Sequence, residues 1–239
     1  MPASANHIPL DKSSGTDYEL VSRLFYIQKD WSLLGEFTGI NQFENQNFRS
    51  LTLGAYYRFH PNLRMGLFYK RQLGFRHNED WITDPILDWK WQNTNARGED
   101  LAIFDVSPKF LIPFFPGDAW SLELKTRIEY NSFNQNQNLR FRPMLTYYWI
   151  REDKPFINFF IEQEQALPLN YGQGKVNELW NYVGALYNQS EQFQFGVNVS
   201  QKTMTWVNTD DFQKSLGSTY STANTGTTVG LLVIYKFEK

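Results

Sequence analysis

Apolar and polar residues alternate with a period of two along most of this chain, which predicts strands with chemically different faces. The cleanest stretch puts Trp120, Leu122, Leu124, Ile128 and Tyr130 on one face, with Thr126 their one polar companion. Ser121, Glu123, Lys125, Arg127 and Glu129 occupy the other. The next stretch repeats the arrangement, Leu139, Phe141, Pro143, Leu145, Tyr147 and Trp149 alternating with Asn138, Arg140, Arg142, Met144 and Thr146. Leu51 to Phe59, Leu63 to Lys70, Ala102 to Ile112, Phe193 to Ser200 and Val229 to Phe237 alternate in the same way. Segments near 18–28, 32–43, 156–167 and 176–188 read as strands with less regular alternation.

A soluble β-sandwich also alternates, but three features favour a membrane barrel. The strands run roughly ten to fourteen residues, nearer to what a tilted strand needs to cross a bilayer than to the usual globular strand. Aromatics gather at strand ends, at Trp31, Trp120, Tyr147, Tyr148, Trp149, Trp206 and Tyr235, where interfacial girdles form. Connections alternate between short and long. The short ones fall at Lys29-Asp30, His60-Pro61-Asn62, Pro116-Gly117-Asp118, Glu152 to Pro155 and Ser190-Glu191-Gln192, the long ones at about 77–98 and 208–225. The predicted fold is an all-β, antiparallel, up-and-down transmembrane barrel occupying residues 1–239 as one domain.

Eleven strands are plain in the pattern. An even count with both termini at the periplasmic rim calls for one more. The Asn6 to Leu10 region supplies it, with Asp11 to Thr16 as the first outer loop, giving about twelve strands with ten as the alternative.

Composition sharpens this picture. Mean hydropathy is negative and no run of eighteen apolar residues exists, so a helical span is excluded; the polar faces of barrel strands dilute any window average. Twenty-three basic and 25 acidic residues, without a basic tract, argue against nucleic-acid binding. Cysteine is absent, which excludes disulfides and thiolate metal sites. The opening Met1-Pro2-Ala3-Ser4-Ala5-Asn6 lacks the form of a secretion signal and reads as a mature start behind an initiator Met.

Through the alternating strands from Leu51 to Arg71 and from Ala102 to Trp149, the chain resembles the outer-membrane β-barrels of Gram-negative bacteria, a porin-like class. That resemblance implies a bacterial outer-membrane location, with outer-membrane lipid and lipopolysaccharide as surroundings and small polar solutes as ligands. Many such barrels end on an aromatic residue; here Phe237 is followed by Glu238 and Lys239.

With apolar faces toward lipid, the lumen collects Arg58, Arg64, Lys70, Asp105, Lys109, Glu123, Lys125, Arg127, Glu129, Arg140, Arg142, Glu162 and Glu164. These are the expected pore-lining residues. They serve either a narrow channel for passive diffusion of small polar or anionic solutes, or a sealed structural or adhesive barrel in which the charges pair. The channel is the first expectation. A third reading is a rim hydrolase, similar in architecture to outer-membrane phospholipases and lipid A deacylases, with His77 as base and Ser132 as the nearest attractive hydroxyl; no catalytic assignment follows.

The loop 77–98 carries Asp80, Trp81, Asp84, Asp88, Trp89 and Trp91. It could fold inward as a constriction, bind sugar or bind calcium, but packing of its tryptophans on the girdle or a neighbouring loop is the preferred account, and the Asp spacing fits no calcium loop. The Ser/Thr-rich segment 210–227 reads as a mobile outer loop. Neither a cofactor nor a metal is expected.

Overall fold

The computed structural model describes residues 12–41, 47–84, 87, 89–113 and 119–238. In chain order the elements are β1 (Lys12–Gln28), β2 (Trp31–Asn41), β3 (Phe48–His60), β4 (Leu63–His77), α1 (Asp80–Thr83), β5 (Trp91–Asn93), β6 (Glu99–Leu111) and β7 (Trp120–Asn131). Then follow β8 (Gln137–Arg151), β9 (Lys154–Pro168), β10 (Glu178–Asn188), β11 (Phe193–Val207), α2 (Asp210–Leu216) and β12 (Ser221–Glu238).

The twelve strands form one sheet: eleven close into a barrel, and short β5 pairs with the top of β4 alone. Neighbouring strands of the wall run antiparallel, except at the seam, where β1 and β12 run parallel from Lys12↔Asn224 to Ile27↔Glu238. This all-β barrel is the predicted class, but it closes differently from the parity expectation. Lys12–Thr16, expected as an outer loop, is the upper end of β1, and the described wall starts at the long-loop rim and finishes at the short-turn rim. The expected strand at Asn6 to Leu10 lies outside the described residues. The misreading has a local cause: β1 opens on Lys-Ser-Ser-Gly-Thr, whose sequence has no apolar face to betray a strand, and it pairs with an equally polar stretch at the top of β12.

The alternation sorts as predicted, with apolar residues outside and polar residues inside. Leu67 and Ile161 are 68% and 64% exposed on the outer surface, whereas Asp105 and Ser121 are 0% and 1% exposed inside, the inverse of a soluble protein. The short-turn end is ringed by outward aromatic groups, Trp31 with Tyr57, Trp120 with Tyr147, and Phe193 with Tyr235. At this end the Lys29-Asp30 and Glu152-Asp153 connections are tight; Lys29, Glu152 and Asp153 adopt positive φ, the twist that two-residue hairpins need. The Pro116-Gly117-Asp118 turn lies outside the described residues.

At the other end the described residues of two long loops include the short helices α1 and α2. The segment read as a mobile loop at 210–227 is instead α2 followed by the start of β12. Thr209 caps the helix by accepting from Phe212 N–H, and Gly217, at φ 68°, ends it. The backbone N–H of Thr209 donates to the carbonyl of Ile82 at 2.9 Å. Since β4 and β11 stand on opposite sides of the ring, this bond ties the two loops together over the mouth.

Candidate functional site

Most of the charged inward side chains on the β6–β9 side meet an opposite charge. Asp105 sits at the centre of a triad, with Arg127 Nε at 2.7 Å and Lys125 Nζ at 2.9 Å, and Lys125 also donates to Tyr56 Oη across the lumen at 3.0 Å. Arg64 reaches Glu123 at 2.8 Å. Arg140 is shared by Glu129, Glu164 and Glu178 at 2.8, 2.6 and 3.0 Å, and Arg142 by Glu162 and Glu164 at 2.5 and 2.8 Å. On the facing wall Arg23 pairs with Glu36 at 2.6 Å. A guanidinium presents several donors in one plane, so it can serve two or three carboxylates at once where an ammonium could not hold the same geometry.

These residues comprise most of the predicted lumen set, brought together as the alternation requires. Two members stand apart: Arg58 and Lys109 are exposed at the short-turn rim, where Lys109 donates to Tyr148 Oη at 2.8 Å. Lys70 faces the lumen over the ring of Phe48.

Two cavities in the lumen share no lining residue. The smaller, about 240 Å³, opens at the short-turn end beside Phe25, Tyr56, Arg58, Arg64 and Lys236. The larger, about 550 Å³, occupies the long-loop half. Its acids, Asp17, Glu19, Glu36, Glu129, Glu162, Glu164 and Glu178, equal in number its bases, Arg23, Lys70, Arg76, Arg127, Arg140, Arg142 and Lys202, so the lining carries no net field favouring anions. Inward residues of neighbouring strands β2, β3, β4 and β6 form an apolar cluster, Leu34, Tyr56, Phe68, Leu101 and Ile103, with Phe25 of β1 packed against it; Tyr56 and Phe25 also line the smaller cavity. The Tyr56 and Phe68 rings meet edge to face at 4.7 Å.

The long-loop mouth is crossed by the segment that follows β4. Trp81, fully buried, packs with Ile82 and Trp206, and Trp89, Tyr171, Met204 and Tyr220 surround them. Trp206 Nε1–H donates to His77 Nε2 at 2.6 Å, joining β11 to β4, and Trp89 stacks on the same imidazole. Glu79 Oε1 lies 2.9 Å from the same His77 Nε2, and Glu79 Oε2 accepts from Asn136 Nδ2 at 2.5 Å. Tyr171 Oη donates to Asn138 Oδ1 at 2.7 Å, and burial pushes its phenol pKa up.

Of the loop residues named from sequence, Trp81, Trp89 and Trp91 form this cluster, Asp80 begins α1 and Asp84 ends it, while Asp88 lies outside the described residues. The tryptophans pack on a neighbouring loop and on the inner wall across the mouth, not on the girdle. Trp206, expected in the girdle, points inward; it shares the parity of Asn198 and Ser200 on β11, a signal the sequence did contain. His77 and Ser132 are not joined, because the imidazole is engaged by Trp206 and Ser132 Oγ donates to the Asp100 carbonyl at 3.0 Å. Among the described residues no group of three or more His, Asp or Glu side chains is placed to hold a metal ion.

No protein-family model matches this sequence, and no curated protein matches it either.

Proposed function

We propose that the protein is a bacterial outer-membrane β-barrel whose lumen is a capped chamber, closed toward the short-turn side, and not a continuously open diffusion pore. The observation that carries this reading is that the two cavities share no lining residue, the smaller one being bordered by Tyr56 and Phe25 of the apolar cluster. Packed side chains exclude water, and a hydrated ion or sugar passes from one cavity to the other only where they part. The inverted faces and the aromatic ring at the short-turn end support a lipid setting, with lipopolysaccharide against the long-loop end.

The narrow channel remains the second reading, favoured by one observation: both cavities are lined by inward residues of the same barrel, so displacement of the side chains between them would join them.

Conductance in planar bilayers separates the two. Purified, inserted protein is expected to stay silent, while Phe68→Ala combined with Leu101→Ala produces reproducible steps. Steps from the unaltered protein, with a selectivity that moves on Arg140→Glu and Arg142→Glu, would replace the closed chamber by a channel.

A further inference from the structure

The β10–β12 side of the large cavity contrasts with the ion-paired ladder of β6–β9 that adjoins it. Register places Trp180 beside Lys202, and Gly184 beside Asn198, which in turn lies beside Gly230. Gly230 has a specific use: a Cβ there would fall 2.7 Å from the Asn198 amide, so only glycine lets that side chain lie across β12. Glu19 follows Gly230 across the seam.

Several groups on this wall lack partners. Asn198, 6% exposed, and Asn224 both line the cavity, and the Oδ1 of each has no hydrogen-bond partner among the described residues. Lys202 forms no ion pair among those residues and sits over the Trp180 ring at 5.1 Å. Trp180 and Tyr182 stack at 5.8 Å with planes 7° apart. A buried acceptor without a donor is held at a cost, and natural proteins rarely retain several on one wall without a use.

We infer that the chamber is a binding site for a short neutral saccharide of one or two rings, held against this wall. The inference rests on reading the lumen as a chamber reached from the long-loop side. The acceptors of Asn198 and Asn224, without partners among the described residues, call for a ligand rich in donors. Sugar hydroxyls supply donors and also accept from Lys202. The aromatic pair offers apolar surface to the C–H edges of a pyranose ring. An organic cation would also bring donors, but Lys202 stands among the same groups and repels it. An organic anion would satisfy Lys202 and leave the acceptors unmet. The cavity volume falls in the range of about 300–1,000 Å³ usual for small-ligand sites.

The test is calorimetric titration of the full folded chain in detergent with glucose, maltose, cellobiose and trehalose. Glucuronate and putrescine serve as anionic and cationic probes, and heat-modifiable gel mobility confirms folding of each variant. At least one neutral sugar is expected to bind saturably. Asn198→Leu and Trp180→Ala should each weaken it at least tenfold, whereas Gln201→Ala, on the outer face of β11, leaves it unchanged. Folded protein that binds none of the four sugars, binds them indifferently to these variants, or binds only glucuronate or putrescine overturns the inference. Silent bilayers together with absent sugar binding refute the saccharide site and leave the closed chamber standing; conducting bilayers with sugar binding do the reverse.

Discussion

On the β6–β9 side of the lumen the long charged side chains meet opposite charges, Arg140 alone serving three carboxylates. On the β10–β12 side, from the same alternation, Asn198 and Asn224 present acceptors that no described residue satisfies. The difference separates two uses of inward polarity. Paired charges bind strand to strand and resist removal of either partner, because the survivor is left buried and uncompensated. Unpartnered amides contribute little to the barrel, and their retention points to something other than stability.

The comparison can be broken or sharpened by substitution, beginning with the largest effect. Arg140→Leu takes one cation from three carboxylates, leaving Glu178 without an ion pair among the described residues, and is expected to destabilise the folded barrel by about 3–5 kcal/mol, read from denaturant midpoints in detergent. Ile103→Ala, in the apolar cluster, should lose about 2–5 kcal/mol to transfer and cavity formation, and widen the gap between the two cavities enough to register as leakage in liposome swelling. Trp206→Phe removes one N–H donor to His77, about 1 kcal/mol, so trypsin should cut the cap at Lys90 or Arg97 about fivefold faster. Asn198→Ala is expected to change stability by no more than about 0.5 kcal/mol; a loss as large as that of Arg140→Leu would abolish the distinction between the walls.

The smallest effect belongs to the short-turn rim, where the Lys154 ammonium holds the exposed Glu191 carboxyl below its usual range. A lowered carboxyl pKa stabilises above its unfolded value and loses that contribution as pH falls through the folded one. Here solvent screens the pair, so Glu191→Gln should leave the acid-unfolding midpoint where it was.

Much of this was legible in the chain. The alternation from Trp120 to Tyr130 assigned its inward and outward residues correctly, because a period-two pattern is a local property of consecutive side chains. The strand at Lys12–Thr16 was not legible, since its Ser, Gly and Thr residues carry turn chemistry and only pairing with β12 makes them extended. Nor was the contact between His77 and Trp206, 129 residues apart, which depends on which strands face each other across a closed ring. The ion pairs within adjacent strands followed from parity, while the apolar cluster combined Leu34, Phe68 and Ile103, inward residues that look like breaks in the polar face until the barrel brings them together.

The parallel seam bears on how the barrel is made. Each other pair of adjacent wall strands is linked by a turn or loop, so each can form as the chain emerges, but β1 and β12 stand some two hundred residues apart and must find each other after everything between them is in place. Parallel pairing is also slightly weaker per residue than antiparallel. The seam is therefore the last zipper to close and the first to yield, and amide hydrogen exchange along Tyr18 to Tyr26 should outpace that along the buried middle of β7.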